Sequence, residues 1–98
     1  MAIAAAAEKP FDVALVDGMA SAAQRTLRVA KGDDVVLHWT SDRPIVLHLH
    51  GYDIEMSVPG KGGATMRFQA AIAGRFAVSE HGRGAGHHRA VLYVEVLP

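Results

Sequence analysis

The sequence predicts an all-β protein, a Greek-key β-sandwich of about seven or eight strands, and three observations lead to that fold. From residue 11 onward, apolar residues occur in short runs in which they alternate with polar ones, as in half-buried strands. Residues typical of turns separate the runs at roughly ten-residue spacing. No stretch keeps a helical apolar period for more than about two turns.

The first half of the chain contains four of these runs, which begin near residues 11, 24, 33 and 44. In each run, alternate residues are apolar and are expected to face the core. They are Val13 and Leu15; Leu27 and Val29; Val35, Leu37 and Trp39; and Ile45, Leu47 and Leu49. Between the first two runs, the segment VDGMASAAQ is compatible with a helical turn or with a loop.

The second half of the chain contains three further runs. The segment VPGKGG is expected to form a loop because of its proline and glycines. The strands ATMRFQA and GRFAVSE follow it, and AVLYVEVL forms the last strand. Since 98 residues fit one core, we predict a single domain over residues 11–98 and a flexible leader over residues 1–10.

The leader and the overall composition restrict location and partners. The segment MAIAAAAEKP is too short for a membrane span and lacks the basic start of a signal peptide. It is either an unstructured leader or the remnant of a cleaved signal peptide, and on the second interpretation we expect a periplasmic or secreted protein. Ten basic and ten acidic residues give zero formal net charge, so binding to nucleic acid or to an anionic membrane is not expected. Membrane insertion is not expected either.

Histidines in two clusters are the main candidates for chemistry, because the chain has no cysteine for disulfides, thiolate sites or nucleophiles. His48 and His50 are two residues apart, so they leave the same face of an extended strand. The segment EHGRGAGHH adds His81, His87 and His88, and its glycines allow the backbone to fold these side chains toward one point. This pattern is typical of a metal site.

Four stretches resemble the cupredoxins, which are small Greek-key copper proteins: HGYDI, PGKGGATMRFQA, AGRFAVSEH and LYVEV. The resemblance covers about residues 11–97. In that family, a histidine lies at the HG-aromatic position, and a loop before the last strand supplies cysteine, histidine and often methionine. The resemblance implies that His50 is the upstream ligand and that Glu80 or His81 stands where the thiolate would be. The loop histidine and the axial ligand would then fall among His87 and His88.

The chain departs from the family in having no thiolate, which excludes blue-copper chemistry. Neutral imidazoles suit Cu(II) best by intrinsic affinity, with zinc as a further possibility. We therefore expect a mononuclear type 2 copper site whose ligands are His50, His81 and His88, with His48 or His87 as the fourth.

Two acidic residues near the histidine clusters and one further histidine also need an interpretation. Glu80 and Asp53 are candidates for hydrogen-bond acceptors that fix a histidine tautomer, and Glu80 is also a candidate ligand. His38 belongs to a different strand from the two clusters, and its side chain points to the face opposite that of its neighbour Trp39. It is expected to be an ordinary surface residue. His48 and His50 have the alternative interpretation of a solvent-facing edge.

Three functions are compatible with these residues. The first is an extracytoplasmic protein that holds Cu(II) or transfers it to a protein partner. The second is a small copper or zinc enzyme with an open coordination position, although the sequence reveals no base, nucleophile or substrate pocket. The third is a metal-free cupredoxin-like interaction domain that keeps the scaffold without the metal.

Overall fold

The computed structural model describes residues 7–81 and 89–98 of the chain. These residues form eight strands: β1 Glu8–Leu15, β2 Thr26–Ala30, β3 Asp34–Ser41, β4 Ile45–Leu49, β5 Ile54–Val58, β6 Gly63–Gln69, β7 Gly74–Glu80 and β8 Ala90–Leu97. A short 3-10 helix, Ala22–Gln24, occupies part of the segment that was compatible with a helical turn. Within the described ranges, no helix is long and apolar enough to cross a membrane.

The strands form two mixed sheets, which confirms the predicted all-β sandwich. The three-stranded sheet has the order β1-β3-β6, and the five-stranded sheet has the order β2-β8-β7-β4-β5. Strand β1 is parallel to β3 and β2 is parallel to β8, whereas the other neighbouring strands are antiparallel. Seven strands correspond to predicted runs. Strand β5 was not predicted, and β1 begins at Glu8 rather than at residue 11.

The core lies between the two sheets and contains the alternate apolar residues that the sequence predicted to face inward. The ten residues named above for the first four runs are all buried. Trp39 is completely buried, and its indole Nε1 has no hydrogen-bond partner among the described residues. Period-two alternation therefore determines which side chains face solvent along β1, β2 and β4, whereas in β3 Val36 is buried as well as its neighbours Val35 and Leu37.

The pairing of β4 with β7 positions the residues that matter for function. In this antiparallel pair, Leu47 lies opposite Glu80, His48 opposite Ser79, and Leu49 opposite Val78. The register between β7 and β8 shifts at Val78/Ser79, where β8 contains one more residue than β7. Such a bulge turns the end of a strand, here the end from which the chain leaves toward residue 81.

Candidate metal centre

Three of the predicted ligands lie on the outer face of the five-stranded sheet. His48 belongs to β4, and because its neighbours Leu47 and Leu49 are completely buried, its imidazole points outward. His50 follows β4, and His81 follows β7. We call His50, His48 and His81 the histidine row. Its backbone is fixed at both ends: His50 N–H donates to Ala77 O at 2.9 Å and His81 N–H donates to Val46 O at 2.8 Å.

His48 is the middle member of the row. Its ring centroid lies 4.4 Å from that of His50, in an edge-to-face arrangement with an interplanar angle of 77°. The centroid of His81 lies 6.2 Å from that of His48, at 56°. The side chain of His48 is 23% exposed, and the other two residues are exposed. The row is therefore accessible from solvent along one face of the sheet.

The spacing of the rings determines which histidines suit one metal ion. Imidazole nitrogens bind at about 2 Å, so the rings of two ligands in adjacent positions have centroids about 4 to 5 Å apart. The distance between His48 and His50 falls in this range, and that between His48 and His81 is longer. Within residues 7–81 and 89–98, no group of three or more histidine, cysteine, aspartate or glutamate side chains is arranged to hold a metal ion.

His87 and His88, the two further predicted ligands, lie outside the described residues. The described part of the chain thus supplies a closely spaced imidazole pair, His48 and His50, with His81 next to it. The donor type fits Cu(II). A complete site needs at least one more donor beside the pair, or a movement of the His81 ring.

Asp53 lies against the row, as the sequence suggested for a tautomer-fixing acceptor. Its Oδ1 is 3.2 Å from Nε2 of His48, and its backbone is in the left-handed region with a φ of 55°. When His48 carries its proton on Nε2, it donates to this carboxylate and leaves Nδ1 open to a metal. The Asp53 side chain is 98% exposed, so the bond is weak.

Glu80, the second candidate acceptor and possible ligand, forms an ion pair with Arg43. Nη1 of Arg43 donates to Oε2 at 2.9 Å and Nη2 donates to Oε1 at 3.0 Å. The hydrogen bond with Glu80 raises the pKa of Arg43, although desolvation by burial acts in the opposite direction. Both carboxylate oxygens of Glu80 thus bind a guanidinium.

The turn after His50 explains the sequence HGYD. Gly51 has a φ of 85°, and a Cβ at this position would overlap the ring of Phe76, so only glycine fits. The ring of Tyr52 packs against Phe68 and Phe76, with both centroid distances at 5.0 Å. Its hydroxyl donates to Ile72 O at 2.7 Å and accepts from Ile72 N–H at 3.1 Å. The turn is therefore fixed immediately beside the histidine row.

His38 provides an internal contrast with the row. It lies on the outer face of the three-stranded sheet, where its Nδ1 is 3.1 Å from the hydroxyl of Thr65. It is exposed, as predicted, and it has no histidine ring contact among the described residues.

Sequence reasoning missed Arg43 and the contact between Gly51 and Phe76. The Arg43–Glu80 pair joins residues 37 positions apart, so no local motif could reveal it. Gly51 had a local signal, because a glycine after a strand is typical of a turn. Its contact with Phe76 depends on the sheet pairing.

No protein-family model matches the chain, and no curated protein matches it in sequence. Among solved structures, it is similar to a copper binding protein determined by NMR in the apo form, with a TM-score of 0.72 and 11% identity. That alignment covers 91% of this chain and 87% of the other. The fold is cupredoxin-like.

Two larger proteins contain the same cupredoxin-like fold. A multicopper oxidase, mgLAC, aligns with a TM-score of 0.71 and 20% identity, over 94% of this chain and 39% of the oxidase chain. A heme-copper terminal oxidase aligns with a TM-score of 0.68 and 19% identity, over 91% of this chain and 63% of the other. The chain thus spans less than two thirds of either oxidase chain, and at these identities the likeness is one of fold.

Proposed function

We propose that the protein binds copper and holds or transfers Cu(II) outside the cytoplasm, at a mononuclear site built from imidazoles without a thiolate. The observation that carries this proposal is the pair of imidazoles at 4.4 Å on the outer face of the five-stranded sheet, with a third imidazole beside it. The similarity in fold to a copper binding protein supports it.

The donor chemistry favours Cu(II) among the available metals. A chain without cysteine offers no thiolate for Cu(I) or for a blue-copper centre, and imidazole binds Cu(II) more tightly than the other divalent first-row ions. Zinc, which also accepts imidazole ligands, is the expected competitor. Glu80 is not included among the donors because both its carboxylate oxygens bind Arg43.

The proposed donors are the five histidines of the two clusters. His48 and His50 form the fixed pair, His81 is adjacent to them, and His87 and His88 are the donors proposed from the loop before β8. His48, a fourth-ligand candidate in the sequence, becomes a principal ligand because it is the ring nearest to both other members of the row. Bound at an exposed sheet face, the metal ion would be open to exchange with ligands of a partner protein.

Titration with Cu(II) tests this proposal. We expect saturation at about one ion per chain, an EPR spectrum with the large parallel hyperfine splitting of nitrogen and oxygen ligands, and no intense copper–thiolate absorption, because the chain has no cysteine. A variant in which His48, His50 and His81 are all alanine is the comparison. Absence of a saturable site, or equal affinity in wild type and variant, would contradict the copper site.

A metal-free interaction domain is the second candidate, and one observation favours it: the described residues contain no three-donor group arranged around a point. The same titration separates the two functions. An interaction domain would keep its fold and stability unchanged in the triple alanine variant and would bind copper no better than that variant.

A further inference from the structure

We propose that β5 is a dimerisation edge, at which two copies of the chain pair their β5 strands in antiparallel fashion about a two-fold axis at Met56. This strand is the last of the five-stranded sheet, with β4 as its hydrogen-bonded neighbour. The proposal concerns a surface that the copper function does not use. It rests on the open backbone groups of β5, its half-exposed apolar side chains, and a register that is complementary to itself.

The hydrogen bonds of β4 show which of its residues bond toward β5. On the other side, His81 N–H donates to Val46 O, and His50 N–H donates to Ala77 O, so Val46 and His50 bond toward β7. Successive residues of a strand direct their backbone groups to opposite sides. Leu47, which follows Val46, therefore bonds toward β5.

The open backbone groups of β5 follow from this alternation. Met56 lies opposite Leu47 in the antiparallel pair, so its backbone groups face those of Leu47 and bond to β4. Its neighbours Glu55 and Ser57 direct their N–H and C=O groups away from β4. In the described part of the chain, no residue hydrogen-bonds to these groups. They are available to another strand.

The side of β5 that faces the core is incompletely covered. Ile54 and Met56 lie opposite Leu49 and Leu47, which are completely buried, so these side chains face inward. Ile54 and Met56 pack against the core but are only half-buried. A strand added beside β5 would remove more of their apolar surface from water, which favours association.

The other edge strands of the two sheets contain residues that oppose pairing with a further strand. Proline and basic side chains are common protection for such edges. They are Lys9 and Pro10 in β1, Arg28 in β2, and Arg67 in β6. Strand β5 contains neither proline nor a basic residue, and its charged residue is Glu55. It is therefore the edge that least opposes a neighbouring strand.

The register of β5 fits a second copy of the same strand. With the two-fold axis at Met56, Glu55 of one copy lies opposite Ser57 of the other, so the open backbone groups pair and the carboxylate faces a hydroxyl donor. An axis at Glu55 would place two like charges directly opposite each other. An axis at Ser57 would place Glu55 opposite Pro59, which has no N–H. Only the register centred on Met56 pairs every open group.

Pairing in this register would join the two five-stranded sheets into one continuous sheet. The two-fold axis is then perpendicular to the sheet, so both histidine rows lie on the same outer face. Three strand spacings separate the β4 strands of the two copies, which places the rows about 14 Å apart. Since an interface made by one edge strand is small, we expect a dimer that forms only at higher protein concentration.

Sedimentation equilibrium of the metal-free protein in EDTA tests the proposal, because EDTA excludes dimers bridged by metal ions. Ser57→Pro is the principal variant, since it removes an N–H that points away from β4 and so leaves the monomer able to fold. Ser57→Ala, which keeps this N–H, is its matched control. Met56→Lys is a second variant that places two like charges at the two-fold axis, and Met56→Leu is its control. Circular dichroism checks that each variant is folded.

We expect a monomer–dimer equilibrium in wild type and in both controls. The dissociation constant should be at least about tenfold higher in Ser57→Pro and Met56→Lys. Amide exchange followed by NMR locates the interface: the Glu55 and Ser57 amides should exchange more slowly as protein concentration rises, and the Met56 amide, already bonded to β4, is the internal reference. A wild type that stays monomeric at every concentration, as it would if β5 bound a strand of another protein, would overturn the inference. A dimer that neither Ser57→Pro nor Met56→Lys weakens would overturn it as well.

Discussion

The two ends of β4 are held by different physical interactions. At the start of the strand, Arg43 and Glu80 form a bidentate ion pair against Gly18. At the end of the strand, Gly51 lies beneath the ring of Phe76. One end therefore depends on charge, and the other on shape.

The difference teaches how a short strand can present histidines at fixed positions. The close packing of Gly51 against Phe76 leaves no room for an added methyl group, because packed interiors do not adjust freely. A half-buried ion pair contributes less, because the desolvation of its two charges offsets much of their attraction. We expect the aromatic end to contribute more to the stability of the protein than the charged end does.

The largest expected effect is at the aromatic end. Gly51→Ala should destabilise the protein by about 3 kcal/mol, from the left-handed backbone and the overlap with Phe76 together. Gly62→Ala is the matched control, because Gly62 has nearly the same φ, 83° against 85°, and no atom within 4 Å of its added Cβ. It should cost about 1 kcal/mol. Urea unfolding of both variants measures the difference, and equal losses would refute the role of Phe76.

The next effect concerns the row between the two ends. We expect His48→Ala to lower Cu(II) affinity by at least about tenfold, since loss of even an outer partner of a metal ligand costs that much. His50→Ala and His81→Ala show which neighbour of His48 contributes more to Cu(II) binding. Because the His48 ring is closer to that of His50 than to that of His81, we expect His50→Ala to lose more Cu(II) affinity. Affinities from competition titration measure these changes.

His38→Ala is the control for this series, because His38 lies on the outer face of the other sheet and contacts Thr65. Its affinity for Cu(II) should equal that of wild type. A loss as large as that of His48→Ala would show that copper binds histidines of this protein without a defined site.

The sequence predicted those features of the molecule that depend on residues close together in the chain, and it missed those that depend on residues far apart in the chain. Alternation along β4 is local, so it correctly placed Leu47 and Leu49 in the core and His48 outside. Strand β5 was missed because its alternation, with Ile54, Met56 and Val58 on one side, is short and adjoins a predicted loop. The Arg43–Glu80 pair was inaccessible to sequence reasoning, since it depends on the pairing of distant strands.

The smallest expected effect is that of the Tyr52 hydroxyl. Tyr52→Phe removes two hydrogen bonds to the backbone of Ile72 and leaves the ring contacts in place. We expect a loss of about 1 kcal/mol. Tyr93→Phe is the comparison, because the Tyr93 ring stacks under Arg75 and its hydroxyl has no hydrogen-bond partner in the described part of the chain. A loss in Tyr93→Phe equal to that in Tyr52→Phe would contradict this role of the phenol.

Trp39 provides the protein with one intrinsic fluorescent reporter. It is the only tryptophan of the chain, and its fully buried indole emits from an apolar surrounding in which Nε1 has no hydrogen-bond partner among the described residues. Unfolding should therefore shift its emission strongly to the red. Trp39 projects inward from the three-stranded sheet, whereas the histidine row faces outward from the five-stranded sheet, and packed sheets lie about 10 Å apart. Any quenching by bound Cu(II) would have to act through the five-stranded sheet, so the same indole reports the integrity of the core separately from direct contact with the metal.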